Sequence, residues 1–152
     1  MSEDATFNKL KDFLESKPAS IDALKHLKQH KEISLVIGGT LHCAVLQSGG
    51  QPQVERRKAN DPDVEFRMKP ESVDVLAASP GDDVGELGVL VIKEIIAGQI
   101  QIKVPGSFFN IMRNGYIDII RQGGSRFMGF LAQHGLSSIT KITSTIKKLK
   151  KS

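Results

Sequence analysis

The stretch of residues 82–97 constrains the fold most strongly, because it predicts a helix with too little polar surface for an ordinary amphipathic one. Two aspartates open it, which suits a helix N-terminus, and Gly98 follows where a helix would end. Its aliphatic side chains are spread around more than one face, and they include Val84, Leu87, Leu90, Val91, Ile92, Ile95 and Ile96. Such a helix must be covered on most sides or must line an apolar cavity.

Residues 33–58 have the pattern of an antiparallel hairpin. Residues 33–47 are rich in Ile, Val and Leu, and we expect one strand there that bends or bulges at the glycines 38–39. A turn signal at residues 48–50 then leads into a more polar returning strand over residues 51–58.

Two further segments, residues 63–68 and 99–104, alternate strictly between apolar and polar side chains, as half-buried strands do. The side chains expected on their buried faces are Val64, Phe66, Met68, Ile100, Ile102 and Val104. Residues 70–78 lie between the two segments and predict a short helix that begins with proline. We therefore expect one sheet within residues 33–104, with its apolar face against the helices.

Helical patterns flank this sheet at both ends of the chain. Residues 1–32 predict two short helices packed on the domain, the second beginning at Ser20 as its N-cap. We expect residues 33–135 to form the main domain, and residues 136–152 predict a basic amphipathic helix. The fold class expected from this order is α+β.

We find no motif for catalysis or for metal binding in the sequence, whether a nucleophile elbow, a phosphate loop or a dinucleotide fingerprint. His26 and His30 have ligand spacing but no third ligand nearby, so we expect them to be solvated. Asp61, Asp63 and Glu65 lack the rest of a calcium loop and are expected in a turn and on a solvated strand face. We predict no enzyme activity, no metal and no cofactor.

The net charge of +4 comes from the C-terminal tail. Residues 1–140 carry 16 basic and 17 acidic side chains, whereas five lysines and no acid follow. With no Trp and one Tyr in the chain, this nearly neutral body does not predict nucleic-acid binding. The polar start and the single cysteine predict a cytoplasmic protein without a secretory signal.

Two motifs give the chain a family resemblance. One is the aspartate-led strand of residues 61–68 followed by the helical sequence Glu-Ser-Val-Asp-Val-Leu at 71–76, and the other is Ala-Gly-Gln-Ile-Gln-Ile-Lys at 97–103. With the hairpin of residues 43–58, they resemble the sterol carrier protein 2 (SCP2) family of lipid-binding domains over about residues 33–120. The resemblance implies a five-stranded, mostly antiparallel sheet covered by helices, with an apolar tunnel for lipids, sterols, acyl chains or quinone-like molecules.

The expected cavity wall consists of apolar side chains from the strands, from the helix of residues 82–97 and from a helix after Pro105. These side chains are Phe66, Met68, Leu87, Leu90, Val91, Ile95, Phe108, Met112 and Tyr116. The predicted function is non-enzymatic binding or transfer of a sterol, fatty acyl, phospholipid or quinone-like lipid. The alternative is that the same side chains fill a solid core, which would make the chain an interaction or accessory domain without a small ligand.

The tail of residues 136–152 offers a peripheral contact with an anionic membrane surface. The side chains expected to make this contact are Ile139, Lys141, Ile142, Ile146, Lys147, Lys148 and Leu149. The alternative is that the apolar stripe packs back on the body or on a second subunit. The sequence leaves the oligomeric state open.

Overall fold

A computed structural model describes residues 2–103, which form an α+β fold built on a five-stranded sheet. The described helices are α1 (Glu3–Ser16), α2 (Pro18–Leu24), α3 (Pro70–Ala78) and α4 (Val84–Ile96). The described strands are β1 (Ile33–Ile37), β2 (Leu41–Ser48), β3 (Gln51–Glu55), β4 (Glu65–Met68) and β5 (Ile100–Lys103). Among the helices of this part of the chain, none is long and apolar enough to cross a bilayer.

The strands lie in the order β3-β2-β1-β4-β5. The β1–β4 pair is parallel and the other three pairs are antiparallel, so the predicted fold class, α+β with a five-stranded and mostly antiparallel sheet, is confirmed. The register aligns Leu35 with both Cys43 and Phe66, and Phe66 with Ile102. Side chains aligned in this way share one face, and this is the apolar face of the sheet.

The prediction of one bent strand over residues 33–47 was wrong. The chain reverses at residues 38–40, and β1 and β2 pair as a hairpin. Gly38 and Gly39 have φ values of 63° and 81°, and two consecutive left-handed residues turn the chain instead of bulging it. The expected second hairpin, between β2 and β3, is present, although β3 ends at Glu55.

The second helix also begins earlier than predicted. It starts at Pro18, with Lys17 in the N-cap position, and Ser20 is its third residue. Proline suits the first turn of a helix because its fixed φ is helical and its missing N–H is not needed there. Ser20 therefore lies inside the helix and does not act as its N-cap.

The core joins the apolar face of the sheet to the helices. Val64, Met68, Ile100 and Ile102 are buried and Phe66 is half-buried, on the face that their alternation predicted. The helices add Leu10, Leu24 and Val73 to the same cluster, and the segment after α2 adds Leu27.

The expectation of a solvated acidic face was wrong for Asp63. Its side chain is 2% exposed, and its Oδ2 lies 3.4 Å from Nζ of Lys31. Glu65 is half-buried and accepts a hydrogen bond from the Ser34 hydroxyl at 3.0 Å. Only Asp61 of the three acids is fully exposed. Strand β4 begins two residues after Asp63, so Asp63 lies before the strand and not on its solvent-exposed face. Its carboxylate is buried beside its counter-ion, the Lys31 ammonium group.

Candidate ligand-binding site

A pocket of about 170 Å³ lies between the helices and the apolar face of the sheet. A cavity of similar size, roughly 150 Å³, can stay dry and bind benzene when its lining is apolar. Fifteen described residues line this pocket, and fourteen of them have apolar side chains. The lining consists of Leu10, Phe13, Leu14, Ser20, Ala23, Leu24, Ile33, Leu35, Val45, Phe66, Met68, Leu76, Leu87, Val91 and Ile100. The arrangement can bind an apolar group by burial alone.

Helix α1 is attached to the edge strand β3 by polar contacts. Glu15 accepts the backbone N–H of Val54 at 2.9 Å, and Lys11 donates from Nζ to the Val54 carbonyl at 3.2 Å. Lys11 and Glu15 also pair with each other at 2.6 Å. These contacts lie on the polar side of α1, so the apolar side of the helix faces the pocket.

The start of α2 is held by the loop that precedes α4. The backbone N–H of Ala19 donates to the carbonyl of Gly81 at 2.8 Å. Gly81 has a φ of +71°, and a Cβ at that position would lie 2.9 Å from Cβ of Lys17. A glycine is needed here both for the left-handed backbone and for the close approach of the two segments. This contact positions the first turn of α2, which carries Ser20.

Helix α4 forms another wall of the pocket. Asp83 caps its first turn by accepting the backbone N–H of Gly85 at 3.2 Å, as the two aspartates at the start predicted. Glu94, near its other end, accepts a hydrogen bond from the buried Ser72 hydroxyl of α3 at 2.9 Å. The apolar side chains of α4 are half-buried, apart from Ile96, which is 58% exposed. Leu87 and Val91 of this helix are among the residues that line the pocket.

The predicted wall residues fall into three groups. Phe66, Met68, Leu87 and Val91 line the pocket. Leu90 and Ile95 are half-buried on α4 but do not line it, and Ile95 packs against the core cluster instead. The remaining predicted wall residues lie outside the described part of the chain, and they are Phe108, Met112 and Tyr116. The predicted membrane-contact residues also lie outside it, and they are Ile139, Lys141, Ile142, Ile146, Lys147, Lys148 and Leu149.

Sequence reasoning missed the wall formed by the two N-terminal helices. Six of the fifteen lining residues come from them, including Leu10, Phe13 and Leu14 of α1. The available signal was their helical spacing, but the same spacing is found in any helix that packs on a core. Ser20 was missed because serine before an apolar stretch resembles an N-cap.

Charged side chains form pairs away from this lining. Glu32 accepts from Arg57 at 2.7 and 2.8 Å and from the backbone N–H of Asn60 at 2.7 Å, and the Arg57 contacts chiefly lower the pKa of Glu32. Burial would raise the pKa of Glu65, but hydrogen bonds from Arg67 and Ser34 hold it below its ordinary value. These acids stay ionised as partners of fixed cations, which suits structural ion pairs.

Two further observations bear on chemistry at the site. Burial raises the pKa of the Cys43 thiol to about 11, so the thiol is protonated at neutral pH and is a poor nucleophile. Within residues 2–103, no three His, Cys, Asp or Glu side chains lie together as a metal site would require. The described pocket therefore presents hydrocarbon surface, with a single serine among its lining residues.

Comparison with known proteins adds a structural likeness. No protein-family model matches the sequence. No curated protein matches it either. The fold is similar to a solved structure described as "UbiJ-SCP2 Ubiquinone synthesis protein", with 15% identity, a TM-score of 0.44, and coverage of 76% of this chain and 90% of that one.

Proposed function

We propose that this chain is a non-enzymatic domain that binds or transfers an apolar ligand in the pocket between its helices and sheet. The observation that carries the proposal is the pocket itself, about 170 Å³ with fourteen apolar lining side chains. Each CH₂ group transferred from water into such a site contributes roughly 0.8 kcal/mol, so binding needs no charged or catalytic group. The ligand class is a sterol, a fatty acyl chain, a phospholipid or a quinone-like lipid.

The pocket size limits how a ligand can occupy it. A space of about 170 Å³ is close to the roughly 150 Å³ that holds benzene, so the described residues accommodate one ring or a short part of a chain. We propose that Phe108, Met112 and Tyr116, which follow β5, extend the wall for the rest of a longer ligand. Their aromatic rings and thioether suit a pliable apolar surface.

Val91→Trp tests the proposal, because Val91 lines the pocket and indole would occupy the space of a ligand. Val89→Trp is the matched control, since Val89 is half-buried on the same helix and is not a lining residue. We expect wild type and Val89→Trp to bind a fluorescent acyl chain saturably, and Val91→Trp to bind it at least about tenfold more weakly, a loss of about 1.4 kcal/mol.

The same titration distinguishes the proposed ligand-binding function from the alternative function. In that alternative, the chain is an interaction domain with a solid core, an arrangement favoured by the exposure of Ile96 (58%) and Val75 (39%). A solid core predicts no saturable probe binding by wild type and loss of folding in Val91→Trp, because overpacking costs about 1–3 kcal/mol. Those two results together would replace the carrier proposal with the interaction domain.

A further inference from the structure

The surface of the described pocket is hydrocarbon throughout. Ser20 belongs to the lining, but its hydroxyl is buried within the protein and does not reach the pocket surface. A hydroxyl, carbonyl or carboxylate of a ligand would lose its water here and find no hydrogen-bond partner, which is costly. A water molecule that entered with it would need two to four polar partners of its own. The pocket therefore suits a part of a ligand that carries no polar atom.

The four described helices form a ring over the apolar face of the sheet. Helix α1 packs against α2 and α3, and α4 packs against the same two helices. The side of the ring formed by α1 and α3 is held together by an ion pair, in which Nζ of Lys9 lies 2.6 Å from Oδ1 of Asp74. Among the lining residues on this side, Leu10 of α1 and Leu76 of α3 are 2% and 7% exposed. This side is the closed end of the pocket.

The opposite side of the ring, formed by α2 and α4, is less buried. Both lining residues of α4, Leu87 and Val91, are half-buried, and so is Ala23 of α2. The two helices are joined at the start of α2, where the Ala19 N–H donates to the Gly81 carbonyl at 2.8 Å. An apolar side chain that lines a pocket and also contacts solvent marks where the pocket opens. The opening therefore lies between Ala23 on one helix and Leu87 and Val91 on the other.

The volume of the pocket sets how much of a ligand it holds. Roughly 150 Å³ accommodates a benzene ring, so the 170 Å³ found here accommodates about six carbon atoms. A hydrocarbon segment that reached the closed end would fill this space, and the atoms before it would lie at the opening. Burial of each carbon atom adds to the affinity, whereas burial of a polar atom subtracts from it.

We propose that a ligand enters this pocket hydrocarbon end first, between α2 and α4, and that its polar group stays outside. This inference rests on the proposed function and narrows its ligand class to amphiphiles whose last carbon atoms, about six of them, carry no polar group. A fatty acyl chain binds by its methyl end. A quinone-like lipid binds by its hydrocarbon tail, with the oxygen-bearing ring outside the pocket.

Positional isomers of one hydroxy acid test this orientation. The probes are octanoate, 1-octanol, 2-hydroxyoctanoate and 8-hydroxyoctanoate, titrated against the fluorescent acyl chain on wild type. We expect the first three to bind within about threefold of one another, because the groups that differ lie outside the pocket. The 8-hydroxy isomer should bind at least about tenfold more weakly than the 2-hydroxy isomer, because its terminal hydroxyl would be buried without a partner. The two isomers have the same composition, so the comparison isolates the position of the hydroxyl.

Nuclear Overhauser effects between ligand and protein give the orientation directly. With octanoate labelled at its terminal methyl, contacts are expected to the methyl groups of Leu10 and Leu76, at the closed end. The protons next to the carboxylate should instead contact the methyl groups of Ala23, Leu87 or Val91, at the opening. The reverse pattern would overturn the proposed orientation.

The outcomes separate the orientation from the proposed function. If neither the acyl chain nor octanoate binds wild type, the proposed function is wrong. If octanoate binds and the two hydroxy isomers have equal affinity, the pocket stands and the orientation is wrong. A 2-hydroxy isomer that binds more weakly than the 8-hydroxy isomer would mean that the polar end enters first. Octanoate that binds about tenfold more weakly than 1-octanol would mean that the polar group does not stay outside.

Discussion

Glu15 on α1 accepts a hydrogen bond from the backbone N–H of Val54 on β3, at 2.9 Å. Strand β3 is an edge of the sheet, and the Val54 carbonyl is bonded by Lys11 of the same helix. Edge strands expose unpaired backbone groups, which helices or charged side chains commonly cover. The polar side of α1 thus hydrogen-bonds the free backbone groups of the edge strand. The opposite side of the helix contributes Leu10, Phe13 and Leu14 to the pocket lining.

Replacing Glu15 with Ala should loosen this attachment. We expect the free energy of unfolding to fall by about 1–3 kcal/mol, because the Val54 N–H loses its charged acceptor. Asp12→Ala is the control, since Asp12 is an exposed acid on the same helix. Urea unfolding measures both variants, and equal midpoints would mean that Glu15 does not hold α1 to β3.

Glu32→Gln should change how stability depends on pH. The pKa of Glu32 is lowered in the folded protein, chiefly by hydrogen bonds from Arg57, so its stabilising effect is present above the unfolded pKa. This stabilisation is lost as the pH falls below the ordinary Glu pKa of about 4.5 and then through the lower pKa of Glu32 in the folded protein. Relative to wild type, the variant should be about 1–3 kcal/mol less stable at pH 7, with the gap closing in acid.

Denaturation at a series of pH values measures this gap. Glu71→Gln is the control, because Glu71 is an exposed acid in the first turn of α3. A gap for Glu32→Gln that stays constant down to pH 3 would contradict the proposed linkage between Glu32 ionisation and folding.

Asp63→Asn should be costly although it changes few atoms. Asp63 is 2% exposed, and Lys31, whose side chain is 12% exposed, would lose its buried counter-charge. Breaking a buried ion pair costs about 3 kcal/mol or more. Asp61→Asn removes a charge at a fully exposed position near Lys31 and should cost much less than Asp63→Asn, because solvent screens exposed ion pairs. Similar thermal midpoints for the two variants would show that burial does not strengthen the Asp63 pair.

The C-terminal tail yields a prediction that depends on the sequence alone. If its lysines contact an anionic surface, each contributes about 1 kcal/mol, so Lys147→Glu with Lys148→Glu should weaken vesicle binding at least about tenfold. Sedimentation with vesicles containing anionic lipid should deplete the wild type at low salt and release it as salt rises. Wild type that stays in solution at low salt would favour a tail that packs on the body or on a second subunit.

Much of the sheet could be predicted because strict alternation fixes which side chains share a face. Phe66 and Ile102, on separate strands, were expected on one apolar face, and the register places them opposite each other. The division of residues 33–47 into two strands could not be predicted as firmly. A glycine pair is compatible with a bulge or a turn, and the antiparallel pairing of β1 with β2 across the glycines shows that it is a turn.

The candidate site was harder to predict than the fold. Apolar spacing predicts that Leu10 and Val91 face the interior, but it does not show whether the neighbouring space is filled by protein or left open. Ser20 illustrates the same difficulty for a polar residue, since only three-dimensional packing reveals that its hydroxyl has no partner in the described chain. The burial of Asp63 likewise depends on Lys31, which is distant in sequence.

A methyl NMR titration tests the central claim most directly, because it locates a ligand inside the protein. Adding 2-octanone to methyl-labelled wild type should shift and saturate the methyl signals of Leu24, Leu35 and Val91, which line the pocket. The methyls of Leu27 and Val73 are the internal control, since both residues are about 1% exposed but do not line it. Saturable shifts confined to the lining methyls are predicted. No saturable shift, or equal shifts in both groups, would contradict an apolar binding pocket.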